Sequence, residues 1–161
     1  NQEWLIKTLE KLIKKNKKIH LLLPGKDSLN GQLDILIKEL KLNKNIHLLV
    51  FRKDIPKLMK ISDLSISTSR QEGLPVNIME AMYTGLPIIA TNCRGNSDLI
   101  DNGESGYIIE QKDERNLISK IDKIYNKEID IKKLSKNSKE KAKKYLLENI
   151  INEYMKIYEC R

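Results

Sequence analysis

Two carboxylates, Glu72 and Glu80, stand eight positions apart in the run Ser69-Arg70-Gln71-Glu72-Gly73-Leu74-Pro75-Val76-Asn77-Ile78-Met79-Glu80-Ala81-Met82. The small and β-branched residues from Leu64 to Ser69 predict a buried strand, and the Gly-Leu-Pro turn predicts a helix beginning near Val76. Glu72 then lies on the loop at the strand's carboxyl end, with Glu80 about one turn into the helix, roughly 6 to 8 Å along its axis. The free N–H groups and positive dipole end of such a helix attract phosphate, while a carboxylate farther in accepts hydrogen bonds from a pair of sugar hydroxyls. That spacing suits a ligand that is anion and polyol at once, such as a nucleotide sugar. Each glutamate taken singly also has a plainer reading: Glu80 as a solvated helix residue, Glu72 as a partner of the helix dipole.

The elements that must position this pair are legible on either side of it. Apolar runs from Ile19 to Leu23, Ile46 to Val50, Leu64 to Thr68, Pro87 to Thr91 and Tyr107 to Ile109 predict strands, with helical periods between them. The first of those periods opens the chain, through Trp4, Leu5, Ile6, Leu9, Leu12 and Ile13. Continuous apolar strands joined by crossovers of this length predict an α/β fold, a Rossmann-like parallel sheet with helices on both faces. Ligands in such sheets bind beyond the strand carboxyl ends, where Glu72 and the turn Pro24-Gly25-Lys26 both fall. Gly25 allows close backbone approach, and Lys26 either lends positive charge to a diphosphate or is a solvent lysine. No G-x-G-x-x-G follows any strand, which argues against an NAD-type site.

The length of 161 residues suits a single domain over the whole chain, with residues 130–161 as a C-terminal helical segment. No apolar stretch approaches the roughly 20 residues of a membrane span. Cys93 and Cys160 are too far apart for a metal knuckle and read as reduced thiols with packing roles, which implies a cytoplasmic protein. His20 and His47 fall inside strand patterns as structural imidazoles. Neither a Ser/His/Asp order nor a metal-ligand spacing appears, so no metal and no cofactor is expected.

The 30 Lys and Arg against 22 Asp and Glu give a net charge of +8, concentrated in Lys11 to Lys18 and Lys132 to Lys144. The first cluster ends a helix, where lysines complement the dipole. The second is either a solvated face or a patch drawn to an anionic leaflet at the inner face of the cell membrane. Nucleic-acid binding is disfavoured, because aromatics make up only 5% of the chain and do not interleave with the basic runs. Near the end, Ala142, Tyr145, Leu146, Ile150, Tyr154 and Tyr158 form one apolar helical stripe.

The block around the two carboxylates resembles the EGLP…E signature of retaining glycosyltransferases of the GT-B fold, the group called glycosyltransferase family 4. The likeness continues through Ala81 to Asn92, Arg94-Gly95-Asn96, Asp98-Leu99-Ile100, Asn102-Gly103 and Gly106 to Ile109. Phe51-Arg52-Lys53-Asp54-Ile55 looks like the family segment that borders the nucleotide base. Together these cover nearly the full chain and imply the C-terminal, donor-binding half of a GT-B fold. In the family a strand and a loop with a basic pair precede the first helix, and an acceptor-binding N-terminal domain precedes those. Neither is in this sequence, so the fragment alone is expected to be inactive.

The resemblance further implies transfer of a hexose or N-acetylhexosamine, with retention, from a nucleotide-diphosphate sugar, UDP-linked, to a glycan or lipid-linked acceptor. Arg94-Gly95-Asn96 resembles a subgroup active in polysaccharide biosynthesis. Carried to matching positions, Glu80 meets the ribose hydroxyls and Glu72 lies against the donor sugar as the catalytic residue. The amides of Gly73, Leu74 and Val76 meet sugar and phosphate oxygens, Pro75 shapes the turn without an N–H of its own, and Arg52 borders the base. GT-B enzymes generally use basic side chains and helix dipoles where others use a divalent ion. The alternative is a non-catalytic nucleotide-sugar-binding subunit or sensor of the same fold.

Overall fold

The computed structural model describes residues 1–16, 18–26 and 30–159, apart from the side chains of Glu153 and Glu159. Cys160 lies outside the described residues, as does Lys17 of the first basic cluster. Helix α1 (Gln2–Lys15) buries Leu5, Ile6, Leu9, Leu12 and Ile13 on one face and ends on Lys14 and Lys15. Strand β1 (Leu21–Pro24), α2 (Gln32–Glu39), β2 (Ile46–Leu49) and α3 (Ile55–Ile61) follow. Next come β3 (Ser65–Ser67), α4 (Val76–Thr84), β4 (Ile88–Thr91), α5 (Arg94–Leu99) and β5 (Tyr107–Ile109). The chain closes with α6 (Glu114–Tyr125), α7 (Ile131–Ala142), a 3-10 turn at Lys143–Tyr145 and α8 (Leu147–Glu159).

All five expected strands form, and every pairing is parallel, the arrangement that helical crossovers impose. The single sheet anticipated from the sequence is instead two, β1-β2 and β3-β4-β5. No strand among the described residues pairs with both β1 and β3. One apolar cluster nevertheless runs beneath both sheets, joining Leu5, Ile6 and Leu9 of α1 to Leu33 and Ile37 of α2 and to Ile89 and Ile109. A second cluster, Ile78, Ala81, Met82, Ile88, Ala90, Leu99 and Ile100, packs α4 and α5 on the other face of the three-stranded sheet.

Two further readings are corrected by the packing. His20 lies one residue before β1 and is exposed, while His47 sits within β2; the rings stack with centroids 5.4 Å apart and Nδ1 of His20 stands 3.1 Å from Nε2 of His47. The apolar stripe after Ala142 is not one helix: Leu146 is extended (φ −66°, ψ 139°) and breaks it between the 3-10 turn and α8. Ala142 is buried and Tyr145 packs against the second cluster, so these two turn inward. Tyr154 and Tyr158 remain 60% and 69% exposed, so part of the stripe is open to solvent.

Candidate functional site

Each residue singled out from the sequence falls beyond a strand's carboxyl end: Gly25 and Lys26 after β1, Arg52 after β2, and the Glu72 loop after β3. The start of α1 ties these ends together. Thr68 Oγ1 donates to Asn1 O at 3.2 Å, and Gln2 lines a small pocket of about 50 Å³ with Leu23, Pro24, Gly25 and Lys26. Arg70 also lies near Glu3, whose carboxyl is held low chiefly by its hydrogen bond from Lys7, with the Arg70 charge a smaller cause.

Helix α4 begins at Val76, as the Gly-Leu-Pro turn predicts, with Pro75 as its N-cap. No side chain caps it and its first turn carries no acidic residue, so its leading donors are open to a ligand. Among the described residues no acceptor meets the amides of Gly73, Leu74 or Val76. Ile78, Ala81 and Met82 are fully buried, which turns Val76, Asn77 and Glu80 to the opposite, solvent-facing side. Glu72 is half-buried and Glu80 exposed, and neither carboxylate has a hydrogen bond or ion pair among the described residues. The surface between them is open, with Gly73, Leu74 and Val76 exposed along it.

A larger hollow of about 420 Å³, lined by Glu10, Ile13, Lys14, Glu39 and Lys44 among others, lies where α1 and α2 end and before β2 begins. That is the amino end of the strands, away from every candidate residue. Lys26 is exposed, and Gly25 adopts φ 141°, a conformation L side chains rarely take, while donating its N–H to Leu49 O and Val50 O at 3.3 Å. Cys93 is half-buried and free, at the N-cap of α5. Among the described residues no group of three or more His, Cys, Asp or Glu is placed to hold a metal ion, and no helix is long and apolar enough to cross a membrane.

Arg52 is not free. Its Nε and Nη2 donate to the two oxygens of Asp54 at 2.7 and 2.6 Å, a fork-to-fork pair in which the Arg52 side chain stays 41% exposed. These hydrogen bonds hold the Asp54 carboxyl below its ordinary value and raise the Arg52 guanidinium. A depressed carboxyl keeps its pairing above the usual aspartate range and loses it only as pH falls through the lowered pKa. An NMR titration of the Asp54 carboxyl is accordingly expected to show a midpoint below about 3.9 that rises toward the ordinary value in Arg52→Ala.

The residues behind the Glu72 loop carry no assigned role in the sequence. Thr91, Gly95 and Asn96 lie in the quoted likeness without an assigned role, and Gln111 lies outside it. The only local signal was polar and small residues where a strand hands over to a short helix.

Residues 1–145 match the profile of the family described as Glycosyl transferases group 1. EpsD, a putative glycosyltransferase of Bacillus subtilis (strain 168), is 28% identical over 160 residues, covering 99% of this chain and 42% of the relative. The UDP-Gal:alpha-D-GlcNAc-diphosphoundecaprenol alpha-1,3-galactosyltransferase of Escherichia coli is 36% identical over 91 residues, 56% of this chain and 23% of that enzyme. The crystal structure of Anabaena HepE in complex with UDP superposes with a TM-score of 0.85 at 25% identity, over 99% of this chain and 44% of that one. The chain spans less than half the length of each of these three proteins.

Proposed function

Since the chain belongs to the glycosyl transferases group 1 family and has its Rossmann-like, GT-B type of fold, we propose that it is the donor-binding half of an enzyme that moves a sugar from a nucleotide diphosphate to an acceptor hydroxyl. The sugar is a hexose or N-acetylhexosamine, the carrier UDP, the acceptor a glycan or lipid-linked glycan, and the anomeric configuration is retained. One observation carries the reading: two carboxylates, Glu72 and Glu80, with no partner among the described residues, flank the start of α4, which no side chain caps, at the carboxyl end of β3. Support for UDP comes from the galactosyltransferase relative, named for a UDP-Gal donor, and from the UDP complex of HepE.

In this reading Glu80 accepts hydrogen bonds from the ribose hydroxyls, and the open amides of Gly73, Leu74 and Val76 meet sugar and phosphate oxygens. Glu72 lies against the donor sugar, orienting its hydroxyls and stabilising the positive charge that develops at the anomeric carbon. The exposed Arg52 side chain borders the base, and Gly25 and Lys26 approach the diphosphate. Only one wall of the cleft is present in this chain; the other belongs to an acceptor-binding domain, which also covers exposed Leu147, Ile151, Tyr154 and Met155 of α8. Work on a lipid-linked acceptor places the enzyme in the cytoplasm at the inner membrane face, where the lysines from Lys132 to Lys144 meet anionic lipid.

Glu80→Ala tests the assignment. A hydrogen bond to a charged acceptor contributes about 1.5 to 3 kcal/mol, so the variant is expected to bind UDP about tenfold more weakly, or worse, in calorimetric titration. Unchanged UDP affinity would remove Glu80 from the site.

A further inference from the structure

Residues from the two following strand-to-helix connections reach the backbone of the Glu72 loop from behind. Thr91, 1% exposed at the end of β4, donates its hydroxyl to Ser69 O at 2.5 Å. Gln111, beyond β5, donates from Nε2 to Arg70 O at 2.8 Å. Buried Asn96 donates from Nδ2 to Thr91 O at 2.9 Å and so anchors the strand end from which Thr91 acts. Gly95, in α5, lies against the loop itself: a Cβ there would stand 2.5 Å from Gly73 O, 3.0 Å from Gly73 C and 2.9 Å from Pro75 Cδ. Its φ is not in the left-handed region, so the need for glycine is one of space.

The direction of a carbonyl determines the direction of the next amide, because in a planar trans peptide the C=O and the following N–H point opposite ways. The described residues contain no cis peptide. Gly73 O is nearer to the Gly95 position than its own carbon, so this carbonyl is turned toward α5. The Leu74 N–H is therefore turned away from α5; Leu74 is 60% exposed, and its N–H has no acceptor among the described residues.

We propose that Gly95 and Thr91 are positioning residues for donor recognition: they hold the Gly73–Leu74 peptide so that the Leu74 N–H is presented to a phosphate or sugar oxygen of the nucleotide-diphosphate sugar. The inference rests on the donor-binding reading above. Any side chain at position 95 presses on backbone, which cannot swing aside as the tip of a flexible side chain can, so even alanine must rotate or displace that peptide. Loss of the Thr91 hydroxyl frees the loop one step earlier, at Ser69.

The test is titration of the isotope-labelled chain with UDP and with UDP-glucose, followed by amide NMR, with melting temperatures measured in parallel. In the wild type the Leu74 amide is expected to move as UDP-glucose is added. Gly95→Ala is expected to shift the Gly73 and Leu74 resonances before ligand is added, to abolish the ligand response at Leu74, and to raise the Kd about tenfold. Thr91→Val, near-isosteric without the hydroxyl, is expected to bind about fivefold more weakly, whereas Thr91→Ser binds like wild type while melting lower for its lost methyl. A merely structural role would make affinity follow melting temperature and reverse that order. The proposal falls, with the donor reading intact, if wild type binds with a silent Leu74 amide or if Gly95→Ala and Thr91→Val bind within about twofold of wild type. A wild-type chain in which neither ligand shifts any amide overturns both.

Discussion

Glu72→Ala, introduced into the full-length enzyme, is expected to lower kcat by about a hundredfold or more while leaving the Kd for UDP within about twofold of wild type. Glu72 belongs to the loop between β3 and α4, three residues before the helix cap, and is half-buried with no partner among the described residues. A preorganised carboxylate of this kind interacts most strongly when positive charge appears at the anomeric carbon, and an interaction that grows only in the transition state acts on rate. UDP carries no sugar, so its affinity reports Glu80 and the amides instead. Single-turnover transfer rates and UDP titrations on the same preparation separate the two. Equal losses in rate and UDP affinity would show Glu72 to be a nucleotide ligand and would overturn its role at the sugar.

Ile88→Ala is expected to destabilise the chain by about 2 to 5 kcal/mol in urea unfolding, the range for deleting a fully buried aliphatic side chain and leaving a cavity. Ile88 is 0% exposed in β4, the middle strand of its sheet, and belongs to the cluster formed by Ile78, Met82 and Leu99. Those partners lie on α4, into which the Glu72 loop runs, and on α5, whose Gly95 lies against that loop. A domain of ordinary stability has only about 5 to 15 kcal/mol in total, so the loss is a large part of it. Tyr154→Ala on the exposed face of α8 serves as the contrast, with an expected change within about 0.5 kcal/mol. A loss below about 1 kcal/mol for Ile88→Ala would mean that this cluster is not the platform beneath the site.

The strands were readable because buried parallel strands are short continuous apolar runs, a local signal that needs no knowledge of neighbours. Tyr107–Ile109 forms over the range read from the sequence, and α4 begins at Val76 because glycine, leucine and proline in that order end one element and start the next. His20 lies outside β1 although the apolar run includes it, because one residue at a strand edge is below what an apolar pattern resolves. The stripe after Ala142 reads as one helix because its three-to-four spacing continues across Leu146, where the backbone turns extended.

What the amino-acid order determined by itself was local: which runs are strands, where α4 starts, and that Glu72 and Glu80 flank that start. Each follows from periodicity, turn chemistry and 1.5 Å of helix rise per residue. Only the tertiary structure decided that the strands form two sheets over a shared apolar cluster, and that Thr91 and Gly95 stand behind the loop. Those contacts join residues about twenty positions apart whose proximity depends on crossover helices packing β4 beside β3, and no local pattern encodes a distance of 2.5 Å between a glycine and a carbonyl of another loop.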